Sequence, residues 1–178
     1  MSEREPFAAL LDLAQRSVAH ASGLPAQLNI KPHWTGIGFQ LRGQRMVAPM
    51  GEVAEILAVP GTTRLPGVQS WVRGVANVRG RLLPLIDLEA FFGGSLSGGR
   101  KSHRVLALEL GDLFSGLIVS QVYGMQHIPV DQFSDQVPEA LDFMSAYLAG
   151  SYRHNGHEWA VFSPFVLARD ARFFNAAA

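Results

Sequence analysis

The sequence predicts a mainly β chain folded as small barrels, with a few short helices and one amphipathic helix at the N-terminus. Three observations carry this. Segments of alternating hydrophobicity are short, tight glycine-containing turns separate them at short intervals, and long helical periods are nearly absent. A βαβ sheet is disfavoured for the same reason. The 178 residues suffice to bury roughly 70 % of the unfolded surface, so no covalent staple is required.

Taken in order, Phe7, Leu10, Leu11, Ala14 and Val18 recur at helical spacing, with Pro6 in the first turn and Gly23-Leu24-Pro25 as the stop. This helix is expected to pack on the body of the protein or to serve as an interaction arm. Residues 25–33 read as a proline-punctuated linker. From Trp34 the period becomes two: Ile37, Phe39 and Leu41 alternate with Gly38, Gln40 and Arg42. Gly43-Gln44 turns into a second strand, RMVAPM. Residues 51–59 are ambiguous between a helical turn and a strand, and 61–68 form a loop. Residues 69–79 are expected as a short helix or helical turn, and Leu82–Ile86 as a buried strand. Asp87–Phe92 adds one turn of helix, with Asp87 as its N-cap. GGSLSGG (93–99) is a flexible loop by composition.

The second half repeats the style. HRVLALEL (103–110) and LFSGLIVSQVYGM (113–125) flank a Gly111-Asp112 turn, and Asn155-Gly156 centres a second hairpin. SPFVLARDARFF reads as a C-terminal helix capped by Ser163 with Pro164 at its first position.

Composition excludes several functions. Lys+Arg and Asp+Glu both total 15, which gives no case for nucleic acid or a membrane surface as partner. There are no cysteines, hence no disulfide, thiolate zinc site or thiol nucleophile. The N-terminus lacks the apolar run of a signal peptide, and no stretch approaches a membrane span. Locally the charges separate: residues 61–81 hold Arg64, Arg73, Arg79 and Arg81 without a carboxylate. Residues 105–152 hold Glu109, Asp112, Asp131, Asp135, Glu139 and Asp142 without Lys or Arg. Two oppositely charged docking faces are one reading, solvated surface the other.

No catalytic, cofactor or metal constellation emerges. Gly94 and Gly99 precede Arg100-Lys101-Ser102, but a phosphate-binding loop needs lysine where Arg100 stands, and a helix rather than a strand afterwards. Ser95 and Ser97 lack the flanking glycines of a nucleophile elbow. His154 and His157 flank a turn with no third ligand at familiar spacing. Asp87 and Glu89 are adjacent, yet nothing in the sequence pushes their pKa values apart as acid–base work requires.

What remains is WVRGVANVRGRLLPLIDLEAFF, Trp71 to Phe92. It resembles the signature of CheW-like coupling proteins of bacterial chemosensory systems, with Arg73, Gly74, Val75, Asn77, Arg79, Gly80, Pro84, Asp87 and Leu88 in place. Weaker echoes are RMVAPMGEVAEIL (45–57), with the family's Val-x-Glu-Ile, then SGLIVSQVYGM (115–125) and YLAGSYRHNGHEWAVFSPFVL (147–167). The resemblance implies two intertwined five-stranded SH3-like barrels over residues 34–174, after an extension at 1–33 and before a tail at 175–178. It implies no enzyme and no cofactor. The expected role is a cytoplasmic adaptor, recruited to membrane receptor arrays without inserting in the membrane. It would join a chemoreceptor's cytoplasmic hairpin tip to the regulatory domain of a CheA-type histidine kinase. The extension and length are most similar to the adaptors of type IV pilus, or twitching-motility, systems.

By the same resemblance, Arg79 is the receptor-facing arginine, in a groove between the barrels. Asn77, Gly74, Val75 and Gly80 surround it, and Val53 and Ile56 match groove-lining aliphatics or else pack in the core. An internal ion pair from Arg79 to Asp87 is the competing reading. Leu82, Leu83, Leu85 and Ile86 are expected to anchor this segment in the core. Ser120 departs from the family by standing where an acid is common. The alternative function is an SH3-like barrel protein that binds a peptide or another protein outside any kinase array.

Overall fold

A computed structural model describes residues 6–20 and 32–178, in two units, Met1–Pro32 and His33–Ala178. In the first, the predicted amphipathic helix is α1, Pro6–His20, with an Asp12–Arg16 ion pair one turn apart at 2.7 Å. Its expected stop at Gly23-Leu24-Pro25, and the linker before Pro32, lie outside the described residues.

The second unit opens with β1 (His33–Leu41) and β2 (Gln44–Pro49), joined by a tight turn in which Arg42 and Gly43 both have positive φ. The ambiguous stretch 51–59 divides into a single 3-10 turn, Met50–Glu52, and strand β3, Glu55–Ala58. Then come β4 (Val72–Val78), β5 (Arg81–Asp87), the one-turn helix α2 (Leu88–Phe91), β6 (Arg104–Leu110) and β7 (Leu113–Val119). The chain closes with β8 (Gln121–Pro129), β9 (Phe133–Ser134), a 3-10 segment Glu139–Tyr147, β10 (Leu148–His154) and β11 (His157–Phe162). Two one-turn helices follow, α3 (Pro164–Leu167) and α4 (Ala171–Phe174), where one C-terminal helix was expected. Ser163 does cap α3, accepting from the Val166 amide at 3.3 Å, and Asp170 starts a new turn by accepting from the Arg172 amide at 2.7 Å.

Two sheets result, ordered β8-β1-β2-β11-β10-β9 and β3-β6-β7-β5-β4. The chain leaves the first sheet after β2, builds the whole second sheet, and returns. That path pairs β2 with β11 in parallel and accounts for the intertwining expected of the barrels, and within the second sheet β5 and β7 are parallel too. The first sheet has six strands rather than five, its sixth being only Phe133–Ser134.

Each barrel has an interior, and a third core joins them. Val47, Ile128, Tyr152, Trp159 and Val161 fill the first, and Ala76, Leu83, Leu85, Val105 and Ile118 the second. Between them Phe39, Leu41 and Met46 meet Leu88, Leu106, Leu108 and Leu117, all completely buried. Phe39 and Phe162 pack edge to face at 5.8 Å, a geometry favoured by the ring quadrupoles.

Two expectations need correction. Residues 69–79 are not helical: most form β4, whose buried residues Gly74 and Ala76 are small enough to blur the period-2 signal. Residues 113–125 are not one strand either. The chain breaks at buried Ser120 and crosses from one sheet to the other. The Ser120 hydroxyl donates to Glu89 Oε1 at 3.1 Å and accepts from the Ser97 amide at 2.9 Å. The tail at 175–178 is also tied down: Val68 bridges to Ala177, and the Ala178 amide donates to Gly67.

Glu89, in α2 directly after β5, is buried where the two sheets meet. Its two carboxylate oxygens accept from the Arg42 amide at 2.9 and 3.0 Å. Burial pushes its pKa above the usual 4.5, while the Arg42 amide and the Ser120 hydroxyl pull it back down. The native state therefore holds this proton more tightly than the unfolded chain. Its contribution favours folding below the unfolded value and is lost as pH rises through the raised one. The stability difference, wild type minus Glu89→Gln, should accordingly fall as pH rises above the ordinary carboxylate value of 4.5 in urea unfolding. A difference that grew with pH would contradict the assignment.

Candidate protein-docking site

The β4–β5 hairpin is closed by Arg79-Gly80, flanked by the Val78–Arg81 pair. Both turn residues have positive φ, 52° and 80°, as a right-twisted two-residue hairpin demands. Asn77 serves this turn: its Oδ1 accepts from the Gly80 amide at 2.9 Å. Glycine at 80 adopts the conformation freely, whereas a side chain at 79 costs about 1 kcal/mol there. An arginine in that position is thus held at the hairpin tip against local preference.

The register then decides which side chains face outward. Ala76 pairs with Leu83 on the buried side, and Val75 with Pro84 and Asn77 with Leu82 on the outer side. Leu82 is therefore not a core anchor. It is 68 % exposed, while Leu83, Leu85 and Ile86 are buried as expected.

Closure of the second barrel depends on Gly74. β3 and β4 are the sheet's two edges, and the loop after β3 returns so that Thr63 and Val75 exchange backbone hydrogen bonds at 2.8 and 2.9 Å. The close approach places the Thr63 carbonyl 2.0 Å from where a Cβ on Gly74 would stand.

Arg79 does not pair with Asp87. Its Nη2 meets Glu55 Oε1 at 2.5 Å, and its side chain stays 76 % exposed. Asp87, completely buried, is paired with Arg73, whose Nε lies 3.0 Å from Oδ2, and its other oxygen accepts from the Ala90 amide at 3.0 Å as the expected N-cap. An exposed pair such as Arg79–Glu55 contributes little, about 0–1 kcal/mol. Arg73–Asp87 is different, because removing the arginine strands a buried charge. Arg73→Ala and Asp87→Ala should each lower unfolding stability by about 2–3 kcal/mol. The double variant should cost less than the sum, as read by chemical denaturation. Strict additivity would mean the two groups act independently.

The remaining site residues divide. Ile56 is exposed on β3, next to Glu55 in sequence. Val53 packs in the core shared by the barrels at 9 % exposure, so packing is what the structure shows for it. Arg81 pairs with Glu109 at 2.9 Å and lies 3.8 Å over the Phe114 ring. Of the four arginines in 61–81, three thus have internal carboxylate partners, which partly dissolves the charge split seen along the chain.

Sequence reasoning missed Glu55 and Leu82 as surface features of this site. Glu55 stood in the Val-x-Glu-Ile echo without a role. Leu82 was hidden in an aliphatic run whose register only the Arg79-Gly80 turn sets. Among the described residues no three His, Cys, Asp or Glu cluster as metal ligands. His154 instead meets the Asn155 amide group at 3.0 Å.

Residues 35–172 match the CheW-like domain family. The chain belongs to the CheW-like family. It is 51 % identical over 172 residues to Protein PilI of Pseudomonas aeruginosa, spanning 97 % of this chain and 96 % of that one. It is 32 % identical over 106 residues to the chemotaxis protein CheW of Helicobacter pylori, 59 % of this chain and 63 % of that one. The fold is also that of a crystal structure of the scaffolding protein TtCheW from Thermoanaerobacter tengcongensis. The TM-score is 0.68 at 22 % identity, over 78 % of this chain and 94 % of that one. CheW-like proteins are non-enzymatic coupling adaptors of chemosensory signalling. No helix among the described residues is long and apolar enough to cross a membrane.

Proposed function

We propose that this CheW-like protein couples the cytoplasmic hairpin tip of a chemoreceptor to the regulatory domain of a CheA-type histidine kinase, within a cytoplasmic array recruited to membrane receptors. The observation that carries the reading is Arg79. It is exposed, set at the tip of a hairpin rooted in the second barrel's core, and among the described residues tied only by a weak pair to Glu55. A guanidinium on a rigid mount meets a carboxylate bidentately with little ordering cost. Asn77 and Gly80 hold the turn, Gly74 and Val75 hold its strand, and Ile56 and Leu82 supply exposed apolar surface in the elements around it. We assign the system to type IV pilus control, supported by the near full-length likeness to Protein PilI, N-terminal region included.

The test reconstitutes receptor tips on vesicles with the kinase and measures autophosphorylation with and without this chain. A marked rise in kinase activity that requires all three components supports the reading. Binding of neither partner by the folded protein would leave a barrel that recognises some other protein. Deleting the chain in its own cells and scoring twitching separately tests the pilus assignment.

A further inference from the structure

A second site lies at the other end of β4. A cleft of about 580 Å³ opens between the β3–β4 loop and the 93–103 loop. Its rim carries Arg64, Arg100 and His103, and its floor is Val59, Leu96 and Ile118. Arg73 stands in its wall, already neutralised by Asp87. Arg64 and Arg100 have no carboxylate partner among the described residues, and both are exposed. His103 is pinned by donating from Nε2 to the Ser97 carbonyl at 3.0 Å. Arg73 and Arg79 are six residues apart on an extended strand and its turn, roughly 20 Å, so this cleft is separate from the hairpin tip.

Like charges gathered on two loops raise each other's energy unless an anion sits among them. The floor narrows the choice of anion. Val59 and Leu96 are only partly covered where they pack against the second barrel's core, leaving apolar surface beneath the cationic rim. A bare phosphate gains nothing from such a floor, and among the described residues no Phe, Tyr or Trp lines the cleft to stack a base, while the ring of His103 is tied to the Ser97 carbonyl. An aliphatic side chain flanked by carboxylates satisfies both layers, through burial below and Arg forks above. We propose that this cleft docks a short acidic peptide segment of a partner protein, with an aliphatic residue seated on Val59, Leu96 and Ile118 and its flanking carboxylates held by Arg64 and Arg100.

The experiment is fluorescence anisotropy of the full chain with a fluorescein-labelled peptide of repeated Asp-Glu-Leu-Glu units. Wild type should bind it, and Arg64→Glu combined with Arg100→Glu should weaken binding by about thirtyfold. Thermal unfolding of that variant should match wild type, since both positions are exposed loop sites. Replacing the peptide's leucines by serine should weaken binding about tenfold. Failure of wild type to bind, or equal binding by the double variant, would overturn the proposal. Competition by inorganic phosphate equal to that of the peptide would show a plain anion site and overturn the peptide assignment. Arg79→Glu should bind the peptide normally. Loss there would move the contact to the hairpin tip and overturn the cleft, so this site and the receptor reading fail separately.

Discussion

Arg79→Glu is expected to lower affinity for a receptor signalling tip by about thirtyfold, equivalent to about 2 kcal/mol, while binding of the kinase regulatory domain changes little. The side chain is 76 % exposed, so the cost falls on the partner interface rather than on folding. Charge reversal also sets the new carboxylate against Glu55, which is worth a few tenths of a kcal/mol to about 1 kcal/mol of stability. Adding Glu55→Arg re-forms the internal pair with its signs exchanged. If Arg79 acts by docking, the double reversal recovers stability and leaves receptor binding impaired. Recovery of both together would make Arg79 a structural residue that only holds β3 to the hairpin. Calorimetric titration with purified receptor tip, beside urea unfolding of each variant, reads both quantities.

Gly74→Ala carries the largest expected stability loss, about 3–5 kcal/mol, a large share of the roughly 5–15 kcal/mol that holds a domain together. Two penalties combine there. At φ +126° a side chain is strained, and its Cβ would stand 2.0 Å from the Thr63 carbonyl oxygen. Relief requires moving the Thr63 backbone away, which breaks the paired hydrogen bonds to Val75 that close the barrel. Gly80→Ala is the control. Its φ is +80° but nothing lies within 4 Å of the added methyl, so only backbone strain of about 1 kcal/mol is expected. Comparable losses at the two positions, measured by urea unfolding, would refute the closure argument.

Much of this architecture was legible in the chain. Period-2 alternation over 37–41, the Gly111-Asp112 and Asn155-Gly156 turns, and the caps Asp87 and Ser163 all report local energetics, and local energetics survive into the fold. The errors arose where local signal was weak. β4 buries Gly74 and Ala76, residues too small to register as a hydrophobic stripe. Leu82 was assigned to the core because a run of aliphatics does not reveal its own phase. A shift of one residue in the turn would have exchanged Leu82 with Leu83.

The candidate site shows the same division. The residue types at Asn77 and Gly80 follow from the hairpin turn they build, and the family from the spacing of the motif around Arg79. Which carboxylate each arginine meets did not. Asp87 is eight residues from Arg79 yet pairs with Arg73, while Arg79 reaches back to Glu55. The cleft rimmed by Arg64 and Arg100 joins two loops that the sequence separates by more than thirty positions. By itself, then, the sequence determined most of the strands, the Gly111-Asp112 and Asn155-Gly156 turns, the caps and the family, because these depend on neighbours along the chain. Charge pairing, barrel closure and the cationic cleft were decided only by the tertiary structure. They depend on which strand edges and loops the shared core brings together, and no local preference encodes that meeting.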